Sequence, residues 1–418
     1  MENKRRVVVT GTGVVTPVGN NIETFWKSLL DGVCGIDFIT EFPVEDLPVK
    51  IAGEVRNFNP ADYGIEPAFA RKQDKFSVFA VAAAYQAMKQ AGLDASEGGN
   101  IDRFRLGVYV GSGIGGFSVQ YRETEKMIKD GAKWISPNFI PTMIANMAAG
   151  NIAIRNNACG PCLPIVTACA TSTHSVGEAY RAIRHGYADA IIAGGAEAAT
   201  IPLGIAGFAN AKALSKAEDP KYASLPFNAN RGGFVMAEGA GMLVLEEYEH
   251  AVARGAHILA EVCGYGNTCD AYHVTAPRPD GTTQAAAIKA ALDEAGFDAA
   301  KDNLYINAHG TGTPLNDSSE TRSFKLALGE EAAHKAHISS TKSMTGHMLG
   351  AAGGVEAIAA VLALENGIVP PTINLDAPDP ECDLDYTPNK PVKTDLTIAI
   401  SDSLGFGGHN GCVAFRKF

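Results

Sequence analysis

The long uncharged run in the sequence, Trp134 to Ile154, lacks the character of a membrane-spanning helix. It carries two prolines, three asparagines and a glycine, which breaks it as a span, and no membrane insertion is expected. A basic surplus is also missing: 35 lysines and arginines stand against 46 acids, a formal net charge of -11. Neutralising phosphate needs basic surface, so nucleic acid is excluded as a non-specific partner. The eight cysteines lack the spacing of a disulfide framework and, in a chain this long, read as reduced thiols. Only three apolar residues follow the basic start "MENKRR" before Thr10 and Gly11 interrupt, so no secretory leader and a cytoplasmic location are expected.

What is present is an ordinary globular composition, 46% hydrophobic and 19% charged. At 418 residues the chain exceeds the size of a single core. Short β-rich runs alternate with helical patterns, the signature of an α/β fold. "RRVVVTGTG", "RLGVYVGSG", "CLPIVTAC" and "ADAIIAGGAE" read as strands in one part, "HILAEVCGYG", "LYINAHGTG" and "LTIAISDS" in the other, with a boundary near residue 255. The parts also resemble each other. Five residues on from Cys169 comes His174, and five on from Lys342 comes His347, each pair at an expected strand-to-helix passage. The first helix carries Val176, Ala179, Tyr180 and Ile183 and stops at Gly186; the second carries Val355, Ile358, Ala359 and Leu362 and stops at Gly367. A βα unit used twice brings helix starts together at a pseudo-twofold axis, where a site draws residues from both halves.

Three motifs match a chemistry by letters and fail by context. Cys159-Gly-Pro-Cys162 has the thioredoxin spacing, but Pro164 and a β-branched run follow it where that motif needs a helix. Adding Cys169 and His174 completes four nominal zinc ligands, at a spacing unlike ribbons or fingers. "GSGIGG", Gly111 to Gly116, is a dinucleotide fingerprint without the second strand ending in an acid that must follow.

Cys169 is the cysteine in a chemical setting, at the expected opening of a helix whose N-terminus favours a thiolate by about 0.3 to 1 kcal/mol. Its partners are His309 in "NAHGTGTPLND" and His347 in "SSTKSMTGHMLGAAG", each beside glycines that permit close approach, with Lys342 five residues before the second. In this joint pattern the sequence resembles the β-ketoacyl-acyl carrier protein synthases of thiolase fold, in particular the elongating type II enzymes of fatty-acid synthesis. The likeness runs from "VVVTGTGVVTPVGN" to "GFGGHNGCVAFRKF", with "TACATSTH", "HGTGTPLND", "STKSMTGHMLGAAG" and "GFGG" in the family's order.

The resemblance implies two similar βα halves, 1–255 and 256–418, in an α-β-α-β-α layering. It implies an acyltransferase that condenses an acyl-Cys with malonyl-acyl carrier protein, releasing CO₂, with acyl carrier protein as partner and a homodimer as assembly. Cys169 would be the acylated nucleophile, His309 and His347 the catalytic histidines, Lys342 their support, and Phe406 the gate that shares an oxyanion hole with Cys169. Substrate contacts are expected from Ile114, Phe208, Thr275, Thr311, Thr313 and Gly407, and carrier-protein docking from Arg71, Lys72, Lys133 and Lys212. No cofactor is required; a structural Na⁺ or K⁺ is expected at Asn307, Glu356 and Asp402. Gly232, Ser172, Asp402 and Leu404 depart from the family's usual Asp, Gly, Asn and Phe, which keeps a specialised polyketide or polyene ketosynthase open as the alternative. A non-catalytic chain-length subunit normally lacks the nucleophile, and Cys169 argues against it.

Overall fold

A computed structural model describes residues 5–418; the start of the basic N-terminal segment lies outside them. Ten strands form one sheet: β1 (Val7–Val15), β2 (Leu106–Gly111), β3 (Cys162–Leu163), β4 (Ala190–Glu197), β5 (Gly239–Glu247), β6 (Ala260–Cys269), β7 (Leu304–Asn307), β8 (His337–Ser339), β9 (Ile398–Gly405) and β10 (His409–Arg416). Their order is β8-β7-β9-β10-β6-β1-β5-β4-β2-β3. Read outward from the centre, β1-β5-β4-β2-β3 and β6-β10-β9-β7-β8 are the same arrangement twice. Each has two antiparallel pairings followed by two parallel ones. The sets join where Val7–Val9 pairs antiparallel with Ala260–Val262.

The expected strand "CLPIVTAC" shrinks to Cys162–Leu163. Pro164 has no N–H to donate to a ladder, and the chain leaves the sheet there.

Five helices build the layers around this sheet: α1 (Lys75–Ala91), α2 (Thr171–Arg184), α3 (Thr282–Ala295), α4 (Pro314–Leu328) and α5 (Ala352–Asn366). α1 covers the outer face of the first set, α3 and α4 that of the second, and α2 and α5 lie between the two sets and touch both. The duplication reaches the packing. A Cβ on Gly11 or Gly13 of β1 would stand 2.1 Å from the Ala87 or Ala83 carbonyl of α1, and one on Gly264 or Gly266 of β6 would stand 2.0 or 1.8 Å from those of Ala291 or Ala287 in α3. Glycine at these four positions lets a helix lie directly on the first strand of each set. Among the described residues one helical stretch, Leu349–Asn366, is long and apolar enough to cross a membrane; 89% of it is buried in the central layer.

The repeat has a different register from the one read in the sequence. α2 follows a 3₁₀ turn at Ala168–Ala170 and α5 one at Leu349–Ala351, and both turns open on a non-glycine residue with positive φ, Ala168 at 51° and Leu349 at 47°. The partner of Cys169 across the pseudo-twofold is therefore Gly350. His174 lies inside α2, whereas His347 precedes the turn before α5. The equal five-residue spacings of Cys169–His174 and Lys342–His347 are a coincidence of letters.

Candidate active site

Cys169 sits in the 3₁₀ turn, nearly buried, at the wall of a cavity of about 380 Å³. The turn is held by the Thr167 N–H donating to Thr171 Oγ1 (2.9 Å) and the Ala170 N–H to the Thr167 carbonyl (3.1 Å). Its φ of 51° at Ala168 is a strained setting for a side-chain-bearing residue, of the sort that collects at functional sites. Burial pushes the Cys169 thiol up to about 12, against the pull of the Lys342 charge. Desolvation thus outweighs the modest help of a helix end, and the resting group is a thiol.

His309 follows β7. Its backbone N–H and that of Gly310 donate to the two carboxylate oxygens of Glu320 in α4, at 2.6 and 2.8 Å, and Asn316 Nδ2 adds a third bond at 3.1 Å. Gly310 is required there, since a Cβ would stand 2.6 Å from that of Ser340. His347 is clamped by its backbone, with its N–H on the Val235 carbonyl (2.8 Å) and its carbonyl accepting from the Ala237 N–H (2.9 Å). The two imidazoles meet at 5.3 Å between ring centres and 88° between planes. Burial, reinforced by the Lys342 charge, holds both well below the ordinary histidine range, so both are neutral at physiological pH. Lys342 stands behind them, buried and paired with Glu356 of α5.

The end of β9 completes the wall. A Cβ on Gly405 would lie 2.4 Å from the Thr167 carbonyl and 3.4 Å from the Cys169 nitrogen, so glycine alone lets this strand end press on the nucleophile's turn and brings the Phe406 backbone beside it. The Gly407 N–H donates to Val274 (2.8 Å), tying the β9–β10 turn to the loop that carries Thr275. Phe406, Phe208, Phe234 and His347 form an aromatic row with successive centroid distances of 6.3, 5.6 and 5.1 Å.

Of the residues expected from the sequence, Cys169, Phe208, Thr275, His309, Thr311, Thr313, His347 and Phe406 line this one cavity, and Lys212 stands on its rim. Lys342, Ile114 and Gly407 do not line it. Arg71, Lys72 and Lys133 are exposed on the surface.

The expected cation ligands divide between two faces of the sheet. Asn307 and Ser401 are register partners whose side chains turn toward the central layer that carries Glu356. The amide of Asn307, Ser401 Oγ and Glu356 Oε2 are all buried without hydrogen-bond partners. These oxygens suit a hard monovalent cation. Asp402 does not join them, because strand alternation sends it outward, where Gln284 Nε2 of α3 donates to it at 2.9 Å. It is buried there, out of reach of solvent. Among the described residues no group of three or more His, Cys, Asp or Glu side chains is arranged to hold a metal ion.

Sequence reasoning missed Glu320, which holds the His309 loop. Its only signal is an acid that falls, with Asp317, on the inward face of α4.

A thiolase-like double βα fold with a buried Cys-His-His cavity defines a condensing acyltransferase. The chain belongs to the β-ketoacyl synthase family: the model of the family's N-terminal domain matches residues 4–251 and that of its C-terminal domain residues 259–376. It is 48% identical over 418 residues, all of both chains, to 3-oxoacyl-[acyl-carrier-protein] synthase 2 of Staphylococcus aureus. It is 49% identical, over 99% of each chain, to the protein of that name in Synechocystis. Among solved structures it resembles a type II PKS ketosynthase in complex with its acyl-carrier protein (37% identity, TM-score 0.91, all of both chains). It also resembles a β-ketoacyl synthase from Burkholderia phymatum (34%, TM-score 0.90, 99% of this chain and 100% of that one).

Proposed function

We propose that the protein extends fatty-acyl chains by decarboxylative condensation of an acyl-Cys169 intermediate with malonyl-acyl carrier protein. The observation that carries this is the convergence of one cysteine and two neutral histidines on one cavity. The nucleophile comes from the half 1–255 and the histidines and Lys342 from the half 256–418. Cys169 attacks the thioester carbonyl of an acyl carrier, the sulfur–carbonyl bond forms, and the carrier thiol leaves with the proton. Malonyl carrier then loses CO₂, and the enolate oxygen takes hydrogen bonds from the neutral imidazoles of His309 and His347, which stabilise charge where it develops. The carbanion attacks the acyl-Cys169 carbonyl, whose oxyanion lies against the backbone N–H groups of Cys169 and Phe406. Collapse expels the Cys169 thiolate, which takes up a proton from the medium to restore the thiol, and releases β-ketoacyl carrier.

Fatty-acid elongation is favoured over a specialised polyketide role by identity: 48–49% to curated synthase 2 enzymes, against 34–37% to the ketosynthase structures above. Three further readings belong to the proposal. Acyl carrier protein docks at the cationic surface of Arg71, Lys72, Lys133 and Lys212. A homodimer forms through the outer edge of β3, where Leu163 and Val166 are exposed beside unpaired strand backbone. The location is cytoplasmic, in keeping with eight free cysteines. If a monovalent cation is bound, Asn307, Ser401 and Glu356 would hold it, and it would offset the Glu356 charge behind the histidines.

The test is intact mass after incubation with acyl carrier protein thioesters, followed by addition of malonyl carrier. One acyl group on the Cys169 peptide, discharged as a β-ketoacyl product, is expected. Acylation at Cys159 or Cys162 instead, or discharge without condensation, would overturn the reading.

A further inference from the structure

The helix that follows the nucleophile opens on three consecutive hydroxyls, and two of them bond to the other half of the molecule. Thr171 serves its own turn, accepting from the Thr167 N–H. Ser172 Oγ donates to the carbonyl of Gly350, in the turn between His347 and α5. Thr173 Oγ1 and Ser403 Oγ share a hydrogen bond of 2.7 Å, and Ser403 stands on β9 three residues before Phe406. All of these groups are buried. The next hydroxyl of α2 shows the ordinary alternative: Ser175 Oγ donates to the Thr171 carbonyl, one turn back in its own helix, at 2.9 Å. Glycines of α5 admit the two outward hydroxyls. A Cβ on Gly353 would stand 2.0 Å from Thr173 Oγ1, and one on Gly354 would stand 3.3 Å from Ser172 Cβ.

We propose that Ser172 and Thr173 are positioning residues that fix Cys169 to the second half of its own active site, Ser172 through the segment that carries His347 and Thr173 through the strand that leads to Phe406. This rests on the condensing reading above, in which the nucleophile comes from one half and the histidines and the Phe406 N–H from the other. Apolar burial between α2 and α5 is non-directional and holds them together without fixing their register. A hydrogen bond is short and directional, so one from each of two neighbouring residues sets both distance and rotation. The two links act on different steps. The oxyanion hole of Cys169 and Phe406 is used when the acyl group enters and again when the carbanion attacks it, so the Thr173 link bears on both. The histidines act on malonyl carrier alone, so the Ser172 link bears on condensation and leaves acylation as it is. Ser172 stands where the family's usual residue is glycine, which has no hydroxyl to donate.

The experiment compares wild type, Ser172→Gly and Thr173→Val in three single-turnover rates, each followed by mass on the Cys169 peptide: alkylation by iodoacetamide, acylation by acyl carrier thioesters, and discharge of the isolated acyl-enzyme by malonyl carrier. Alkylation uses neither the oxyanion hole nor the histidines and should stay within about threefold of wild type in both variants. Ser172→Gly should slow discharge at least about tenfold while acylation stays within about threefold; Thr173→Val should slow acylation and discharge at least about tenfold each. If Thr173→Val does not fold, Ser403→Ala removes the same bond from its other end, and Ser172→Ala removes the other hydroxyl without the backbone freedom of glycine. Any other pattern overturns the proposal and leaves the condensing reading intact. Alkylation that falls in step with the other two rates would mark a merely structural role, and rates at the wild-type level would mean that the bonds position nothing. A wild type that takes no acyl group on Cys169 overturns the condensing reading and this proposal with it.

Discussion

Lys342 and Glu356 face each other as an ion pair, one from the short helix after β8 and the other from α5, and neither reaches solvent. Such a pair contributes little net stability against an apolar replacement, yet removing one member strands the other charge in a medium that cannot solvate it. Lys342→Met is therefore expected to lower the unfolding free energy by about 3–5 kcal/mol. Adding Glu356→Leu should recover most of that loss. Denaturant unfolding of the two variants checks it, and a double variant less stable than the single one would refute the pairing.

The Cys169 thiol, raised to about 12 by burial, leaves a thiolate fraction on the order of 10⁻⁵ at pH 7. Alkylation by iodoacetamide should then accelerate about tenfold per pH unit and keep rising through pH 10. The site-resolved rate comes from peptide mass mapping, which separates Cys169 from the exposed Cys159 and Cys162. A plateau below pH 9 would mean that the helix end lowers this thiol far more than its burial raises it. In the same samples Cys169→Ala should abolish acyl transfer, and Cys159→Ser or Cys162→Ser should leave condensation near wild type.

Much of the fold was legible in the sequence because β-branched runs ending in glycine mark the strands, and two helices with matching apolar spacing betray the repeat. The register of that repeat was hidden, since it is carried by backbone conformation at Ala168 and Leu349 and by no shared residue type. The nucleophile and both histidines could be found because their glycine-flanked motifs are dense. The groups that hold them were not, because Glu320 acts on a backbone N–H eleven residues away and Ser172 on a backbone carbonyl 178 residues away. Hydrogen bonds from side chain to distant backbone leave no pattern in a one-dimensional string. Asp402 was grouped with Asn307 and Glu356 by motif position, and strand alternation separates them.

Asp402 has its own pH signature. Burial pushes its carboxyl up to about 7, and the donor Gln284 pulls it down less than burial raises it. The native state therefore holds a proton that the unfolded chain, with an ordinary carboxylate near 3.9, has already lost. Stability falls as pH rises from about 4 to about 7, since the native state binds more protons across that window. Asp402→Asn keeps an oxygen to accept from Gln284 and removes the titration. The variant should match wild type near pH 4 and be the more stable of the two above pH 7. A stability difference that does not change with pH, measured by denaturant unfolding at both ends of the window, would count against it.

Arg71, Lys72, Lys133 and Lys212 are exposed, and none is held in an ion pair among the described residues. Lys133 lies 5.3 Å from the ring centre of Trp134, and Lys212 stands at the cavity rim. In a chain of net charge -11, Lys212 beside the cavity and the other exposed, unpaired cations offer an acidic carrier a local attraction that the rest of the surface opposes. Charge reversal at Arg71 and Lys212 should lower kcat/KM for carrier-bound acyl substrates by about tenfold or more at low salt, while small-molecule thioesters react as with wild type. Raising the salt to about 0.5 M shortens the screening length to a few ångströms, so the defect should shrink there. Equal losses with both kinds of substrate, or a defect indifferent to salt, would place the damage in the cavity and remove these residues from docking.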